Sequence, residues 1–258
     1  MKKITPAAIL RARALDALKA TWTTVLPLVA VIQLATYVLS QLVGLIPGVA
    51  DTILSFVAIA VLMVPSVGVL SGVLGYFRGK PLTWDCIESM MPHALKIIGL
   101  HLWTMLCLMG WFMLGAIPMF IGIPMLPMEL WSQGSDMVII LGFVLVLSGF
   151  VLMLILGFRA AFSYSMYTCI LIDAPATPVR DILKKSKAMM QGYRWHYVKV
   201  SLPVFIILFA VIFVIGALTA ALPAWLASLI SSVMAIFTSM FSYYFLPVMY
   251  EELRRIGR

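Results

Sequence analysis

The chain has 258 residues, of which 63% are hydrophobic and only 11% are charged. An average soluble domain is about half apolar and about one quarter charged, and the mean hydropathy here is +1.09. This composition excludes a water-soluble globular enzyme, a disordered chain and a small disulfide-bonded scaffold. It indicates an all-α, polytopic membrane protein, because the sequence lacks the period-two alternation that membrane β-barrels need.

The spacing of the charged residues predicts six transmembrane helices. A spanning helix needs about 20 apolar residues, and the sequence offers five long uncharged stretches. The last of them, between Lys199 and Glu251, is long enough for two crossings with a break at residues 221–224. The predicted spans, in chain order, cover residues 22–45, 52–77, 97–123, 137–159, 200–221 and 224–248.

The charge distribution predicts the orientation of these spans. All 18 Lys and Arg fall on one predicted side, whereas the outer connections carry Asp51, Glu129 and Asp136 without a basic residue. The positive-inside rule then predicts that both termini are cytoplasmic, in a multi-pass protein of the bacterial inner membrane. The predicted organisation is one transmembrane domain over residues 1–258, with a cytoplasmic amphipathic helix over 1–21, a six-helix bundle over 22–250 and a cytoplasmic tail over 251–258.

The connection from Asp173 to Lys199 contains a predicted amphipathic helix. Thr177 is a suitable N-cap, Pro178 suits the first helical position and Gly192 suits the stop. The sequence follows helical spacing, with an apolar face formed by Val179, Ile182, Leu183, Ser186 and Met190. The basic residues lie mostly on the opposite face, at Arg180, Lys184, Lys185 and Lys187. This pattern predicts a helix lying in the plane of an anionic inner leaflet. The alternative is a basic loop that only rests near the membrane.

A weak internal repeat also occurs. Residues 81–83 and 175–177 share the pattern Pro-x-Thr, and each opens a short segment between two predicted spans. Spans two and three would then repeat spans four and five in the same orientation. A parallel repeat of helical hairpins is therefore a hypothesis for this fold.

Two ionisable side chains lie close to predicted spans. Arg159 is followed by an uncharged run to Ile172, so the fourth helix either projects into the cytoplasm or bends near Gly157. Arg159 would then reach lipid phosphates with Tyr164 and Tyr167 as interfacial anchors, or, alternatively, bind an anionic headgroup or solute inside the bundle. His101, near the start of the third span, either extends to the headgroups or is an intramembrane functional group.

Other polar positions within the spans are weaker signals. Gln33, Gln41 and Ser148 are more typical of helix–helix contacts than of a substrate path. Glycines 68, 72 and 75 predict close packing of the second span. Motifs of hydrolases, metalloproteases and nucleotide-binding proteins do not occur, and the three cysteines lack metal-site spacing. We therefore expect a non-enzymatic protein with no cofactor and no metal.

Several short motifs resemble a bacterial membrane protein family. Tyr164 and Met166 precede Asp173 and Pro175, and residues 186–194 read Ser-Lys-Ala-Met-Met-Gln-Gly-Tyr-Arg. With the patches at residues 11–18 and 75–79, these motifs are similar to the family named domain of unknown function 975 (DUF975), although Tyr193 stands where a His is common. The resemblance implies a six-helix inner-membrane protein and supplies no catalytic residue. It also marks a structured cytoplasmic hinge that contains Arg159, Tyr164, Asp173, Ser186, Gly192 and Arg194.

The sequence thus predicts a protein that binds lipid, a peptide or a membrane partner, in envelope homeostasis or in protection against a membrane-active peptide. A transporter or channel for a small or apolar solute is the alternative, and a lipid-modifying enzyme is a weaker one. Anionic phospholipids at the cytoplasmic face are the expected partners, without nucleic acid, because sidedness explains the net charge of +8. The candidate contact residues are Arg159, Tyr164, Tyr167, Lys184, Lys185, Ser186, Lys187, Arg194 and His101.

Overall fold

The computed structural model describes residues 4–43, 45, 49–126, 136–219 and 222–257, and this part of the chain is helical without strands. The helices, in chain order, are α1 (Ala7–Val43), α2 (Val49–Tyr76), α3 (Asp85–Glu88), α4 (Ala94–Gly122), α5 (Asp136–Tyr164), α6 (Tyr167–Asp173), α7 (Val179–Met190), α8 (Arg194–Thr219) and α9 (Ala224–Gly257). The all-α class predicted from the sequence is confirmed for these residues.

Among the described residues, five helical segments are long and apolar enough to cross a membrane. They contain α1, α4, α5, α8 and α9. The predicted span over residues 52–77, which would bring the number of spans to six, coincides with α2, in which the segment found to be apolar, Val61–Tyr76, is shorter. The parallel repeat and the sixth span therefore remain predictions.

Two helix boundaries differ from those expected. α1 is continuous across residues 21 and 22, where the sequence has neither Gly nor Pro to separate an amphipathic segment from a span. Of the two alternatives for the fourth span, the helix does not break near Gly157, because α5 stays helical through Gly157 and ends at Tyr164. The chain turns at residues 165–166 instead, and α6 begins at Tyr167.

The first of two compact units comprises Met1–Gly99 and Met166–Arg258. α1 packs on α9, α2 and α8, so the first and last helices lie side by side. Apolar α1 side chains such as Val25, Leu28 and Val29 are almost completely buried. Two polar pairs join α1 to α9: Thr21 hydrogen-bonds the Tyr244 hydroxyl, and the Gln33 amide donates to Ser239 Oγ at 2.8 Å.

The second unit, Leu100–Ser165, is a hairpin formed by most of α4 and α5. The backbones approach very closely, because a Cβ on Gly115 would lie 2.5 Å from the Cα of Met153. Small residues permit this kind of approach between membrane helices. A Cβ would also crowd the facing helix or its adjoining turn at four further glycines: Gly122 on α4, and Gly142, Gly149 and Gly157 on α5. With Gly115, these glycines recur at intervals of seven or eight residues along each helix.

The predicted amphipathic helix corresponds to α7. Gly192 has a φ of +85°, the left-handed conformation expected at the predicted helix stop. The N-cap is Pro178 and not Thr177, because the extended ψ of 146° at Pro178 starts the helix at Val179. Ile182, Ser186 and Met190 are fully buried within the first unit. The apolar face of α7 thus packs against protein, whereas the sequence pattern placed it against lipid.

Candidate functional site

Several charged and polar side chains meet in one ionic cluster, which we call the clamp, formed by Arg78, Asp173, Tyr250, Glu251 and Arg254. These residues come from three separate parts of the first unit: the end of α2, the end of α6 and the last turns of α9. Residues far apart in sequence therefore meet at one place.

The turn after α2 positions Arg78. Gly79 has a φ of +81°, and the Lys80 N–H donates to the Gly75 carbonyl at 3.0 Å, which closes the helix end. Arg78 Nη1 and Nη2 donate to the two carboxylate oxygens of Asp173 at 2.6 and 3.0 Å. Its Nε donates to Glu251 Oε1 at 2.7 Å. A planar guanidinium suits this forked arrangement better than an ammonium group would.

Three different side chains contact the Asp173 carboxylate. The Tyr250 hydroxyl donates to Oδ2 at 2.8 Å, and Arg254 Nη1 lies 3.1 Å from the same oxygen. Arg254 Nη1 also lies 3.7 Å from Glu251 Oε1, one helical turn away. The Asp173 side chain is only 15% exposed, so this network is partly shielded from water.

The surroundings shift the pKa values of Asp173 and Arg78 in opposite directions. Burial alone would raise the pKa of the Asp173 carboxyl, but hydrogen bonds from Arg78 and Tyr250 and the charges of Arg78 and Arg254 lower it below its ordinary value. Burial opposes the charged form of Arg78, but the hydrogen bonds and charges of Asp173 and Glu251 raise its pKa. Two arginines face two carboxylates, so the clamp is charge-balanced. This arrangement is suited to holding the ends of α2, α6 and α9 together.

A second ionic contact fixes the start of the chain to α9. The Thr5 N–H donates to Glu252 Oε1 at 2.9 Å, and Arg255 Nη2 donates to the same oxygen at 2.7 Å. Arg255 Nη2 also donates to Thr5 Oγ1 at 3.1 Å. The Glu252 side chain is 2% exposed, whereas that of Arg255 is 61% exposed. Two consecutive α9 carboxylates thus contact different parts of the chain: Glu251 pairs with Arg78 at the end of α2, and Glu252 accepts from residue 5.

The predicted contacts on α7 lie on two opposite faces. Ser186 is buried, and its Oγ accepts the Met166 N–H at 3.2 Å, which joins α7 to the start of α6. Lys184, Lys185 and Lys187 are exposed on the other side. Lys184 Nζ lies 3.7 Å from Asp181 Oδ1, an exposed pair one turn apart. The lysines therefore form a basic surface facing away from the packed core.

The remaining candidates are distributed over both units. Arg194 and Tyr167 belong to the first unit and are half-buried, and the buried Arg194 Nε has no hydrogen-bond partner among the described residues. The other three lie in the second unit: Arg159 is exposed on α5, whereas Tyr164 and His101 are half-buried. The Arg159 carbonyl accepts from Ser163 Oγ at 2.5 Å.

Sequence reasoning found only part of the clamp. The family-like motifs included Arg78 and Asp173, but they did not indicate that the two side chains pair. Glu251 and Arg254 were missed because residues 251–258 were interpreted as a tail, and Tyr250, the last residue of the predicted bundle, was missed as well. The sequence did contain a local signal at residues 251–255, Glu-Glu-Leu-Arg-Arg. Each carboxylate there precedes an arginine by three positions, a spacing typical of ion pairs along one helix.

The described helices define a class: an all-helical protein whose several apolar helices are compatible with a multi-pass membrane protein. The chain belongs to the family described as Protein of unknown function (DUF975), whose model matches residues 4–237. Neither a curated protein nor a solved structure matches the chain. The family membership confirms the resemblance carried by the motifs.

Proposed function

We propose that this chain is a non-enzymatic protein of the bacterial inner membrane that binds anionic phospholipid through the basic surface of α7. The single observation that carries the proposal is the fixed outward presentation of Lys184, Lys185 and Lys187. Because the opposite face is buried and Ser186 holds it to α6, the lysines attract lipid headgroups without inserting an apolar face. Each basic residue near an anionic leaflet contributes about 1 kcal/mol.

The membrane arrangement proposed with this function has six spans and cytoplasmic termini. α2 is the sixth span, since its 28 residues extend about 40 Å at 1.5 Å per residue. The basic residues then all share one side. Trp22 and Trp195, exposed near the basic ends of α1 and α8, are suited to the interfacial level. A parallel repeat of the α2–α4 and α5–α8 segments remains part of the proposal.

The test replaces the three lysines by glutamate in the full-length protein. Wild type extracted with its surrounding lipid should be enriched in phosphatidylglycerol over phosphatidylcholine, as measured by mass spectrometry. K184E/K185E/K187E should lose that enrichment, and 0.5 M salt should reduce it in wild type because exposed charges are screened. K184R/K185R/K187R keeps the charge and should behave as wild type. Equal lipid composition in all three proteins would refute the proposal.

A peptide or membrane protein could engage the same surface, in envelope homeostasis or in protection against a membrane-active peptide. An acidic partner would meet the lysines by the same electrostatics. Mass spectrometry of proteins and peptides that co-purify with wild type but not with K184E/K185E/K187E separates this possibility from lipid binding. The transporter alternative has less support, since the Gln33 amide bonds Ser239 and the Ser148 hydroxyl donates to the carbonyl of Leu145 in its own helix.

A further inference from the structure

An apolar groove runs between α1 and α9 in the first unit. It encloses about 560 Å³, a size typical of ligand sites, and is open along one side. Lys19, Trp22 and Leu26 line it from α1, and Phe237 and Phe241 line it from α9. The α1 residues are spaced by three or four positions, so they follow one face of the helix. We call this feature the lateral groove.

The walls of the lateral groove are held in place by packing on both helices. Thr21, beside Trp22, is buried and hydrogen-bonded to the Tyr244 hydroxyl of α9. Val25, beside Leu26, is fully buried. On α9, the Phe241 ring stacks on Phe245 with centroids 6.5 Å apart. The groove is therefore formed by two helices already fixed to each other, and a ligand would not have to separate them.

The side chains of the lateral groove change character along α1. Lys19 is exposed at the end nearest the basic segment of the chain. Trp22, at 53% exposure, follows within one turn, and Leu26 follows one turn further. This order of side chains matches the order of regions in a bilayer leaflet. A cation suits the phosphate level, an amphipathic aromatic ring suits the glycerol region, and an apolar side chain suits the acyl chains. A lysine in this position can extend its ammonium group to the headgroup level.

We propose that the lateral groove binds one anionic glycerophospholipid from the leaflet that faces the N-terminal segment. The Lys19 ammonium pairs with the lipid phosphate, and an acyl chain lies against Leu26, Phe237 and Phe241. This inference rests on the proposed membrane embedding and adds a discrete site distinct from the α7 surface. Asp16, one turn before Lys19, is exposed and negatively charged, so it opposes binding of an anionic headgroup.

The test measures phosphatidylglycerol binding to the delipidated full-length protein by native mass spectrometry, with phosphatidylcholine as the comparison lipid. Wild type should bind one phosphatidylglycerol more tightly than further copies. K19Q removes one charge and should weaken that first binding step about fivefold, whereas D16N should strengthen it. L26W fills the groove and should abolish the first step. The matched controls are K199Q and L34W, two exposed positions outside the groove, and both should behave as wild type.

Three results would overturn the site. They are equal binding of both lipids by wild type, equal losses in K19Q and K199Q, and a second copy of the chain replacing the lipid in the spectrum. K19Q retains the apolar lining, so it remains informative if L26W fails to fold. The α7 variant K184E/K185E/K187E separates this site from the proposed function. It should lose enrichment of surrounding anionic lipid while retaining the single tightly bound copy.

Discussion

Three side chains from two other helix ends converge on Asp173. Its carboxylate accepts from Arg78 and Tyr250 and lies beside Arg254. The surrounding ion pairs are partly buried, a setting in which removing one partner leaves the others without their acceptor. The single side chain therefore connects α2, α6 and α9.

Replacing Asp173 by asparagine should destabilise the protein by about 1–3 kcal/mol, because Arg78 and Tyr250 lose a charged acceptor. The measurement is the melting temperature of the purified protein in mild detergent. D181N is the matched control, since Asp181 pairs with Lys184 where their side chains are 50% and 80% exposed. Such a surface pair contributes at most about 1 kcal/mol. Equal melting temperatures for D173N and D181N would contradict a stabilising clamp.

The contribution of Asp173 should also depend on pH. Its pKa is lower in the folded protein than the ordinary value of 3.8, so the folded state favours the ionised form. The stabilisation is fully present above pH 3.8 and is lost as the pH falls through the folded pKa. The difference in melting temperature between wild type and D173N should be constant from pH 5 to 8 and shrink below about pH 4. A constant difference down to pH 2.5 would exclude this linkage.

At the level of single residues, sequence reasoning identified some participants and missed their pairing. Arg78 and Asp173 both lie in motifs recognised from the sequence, but they are 95 positions apart. Charge patterns within one helix predict contacts over three or four positions. They carry no information about partners brought together by packing of distant helices, which is why Tyr250, a partner 77 positions away, was not predicted.

Among the elements, α7 illustrates what periodicity can and cannot determine. The spacing of Ile182, Ser186 and Met190 correctly grouped these residues on one face, and all three are buried. Periodicity gives the same pattern for a face against protein and a face against lipid. Only the folded arrangement, in which Ser186 meets the start of α6, distinguishes the two environments.

Replacing Ser186 by alanine should weaken the junction of α6 and α7. The Met166 N–H would lose its acceptor inside the protein, at a cost of about 1–3 kcal/mol. Hydrogen exchange at the Met166 amide should become faster than in wild type, together with a lower melting temperature. The control is S165A, because the Ser165 hydroxyl donates to the Phe162 carbonyl of the preceding helix. Unchanged exchange at Met166 in S186A would argue against this junction.

For the whole molecule, the proposed six-span arrangement makes a prediction about sidedness. Single cysteines at Arg13 and Lys185, in a background without the native cysteines, should resist a membrane-impermeant maleimide in spheroplasts and react in inverted vesicles. If α2 did not cross, one crossing fewer would separate these positions and Lys185 would face the opposite side from Arg13. Labelling of Lys185→Cys in spheroplasts, with Arg13→Cys protected, would refute six spans.

The sequence predicted the centres of the long helices well, because a long apolar run has few alternatives in a membrane protein. It did not predict where they end. α1 begins at Ala7 and α9 continues to Gly257, so both extend beyond the predicted spans. Charged residues end a membrane crossing without ending a helix, and hydropathy alone cannot separate the two boundaries.

The pairing of α1 with α9 has a consequence for biosynthesis. Thr21 and Tyr244 are 223 positions apart, an interval that a ribosome translates in about 10–45 s. During that time the nascent α1 lacks Ser239, the acceptor of the Gln33 amide, and the Tyr244 hydroxyl, so Thr21 keeps only its bond to the Ala17 carbonyl of the same helix. An insertion factor or chaperone that shelters this first helix should therefore determine how efficiently newly made chains mature.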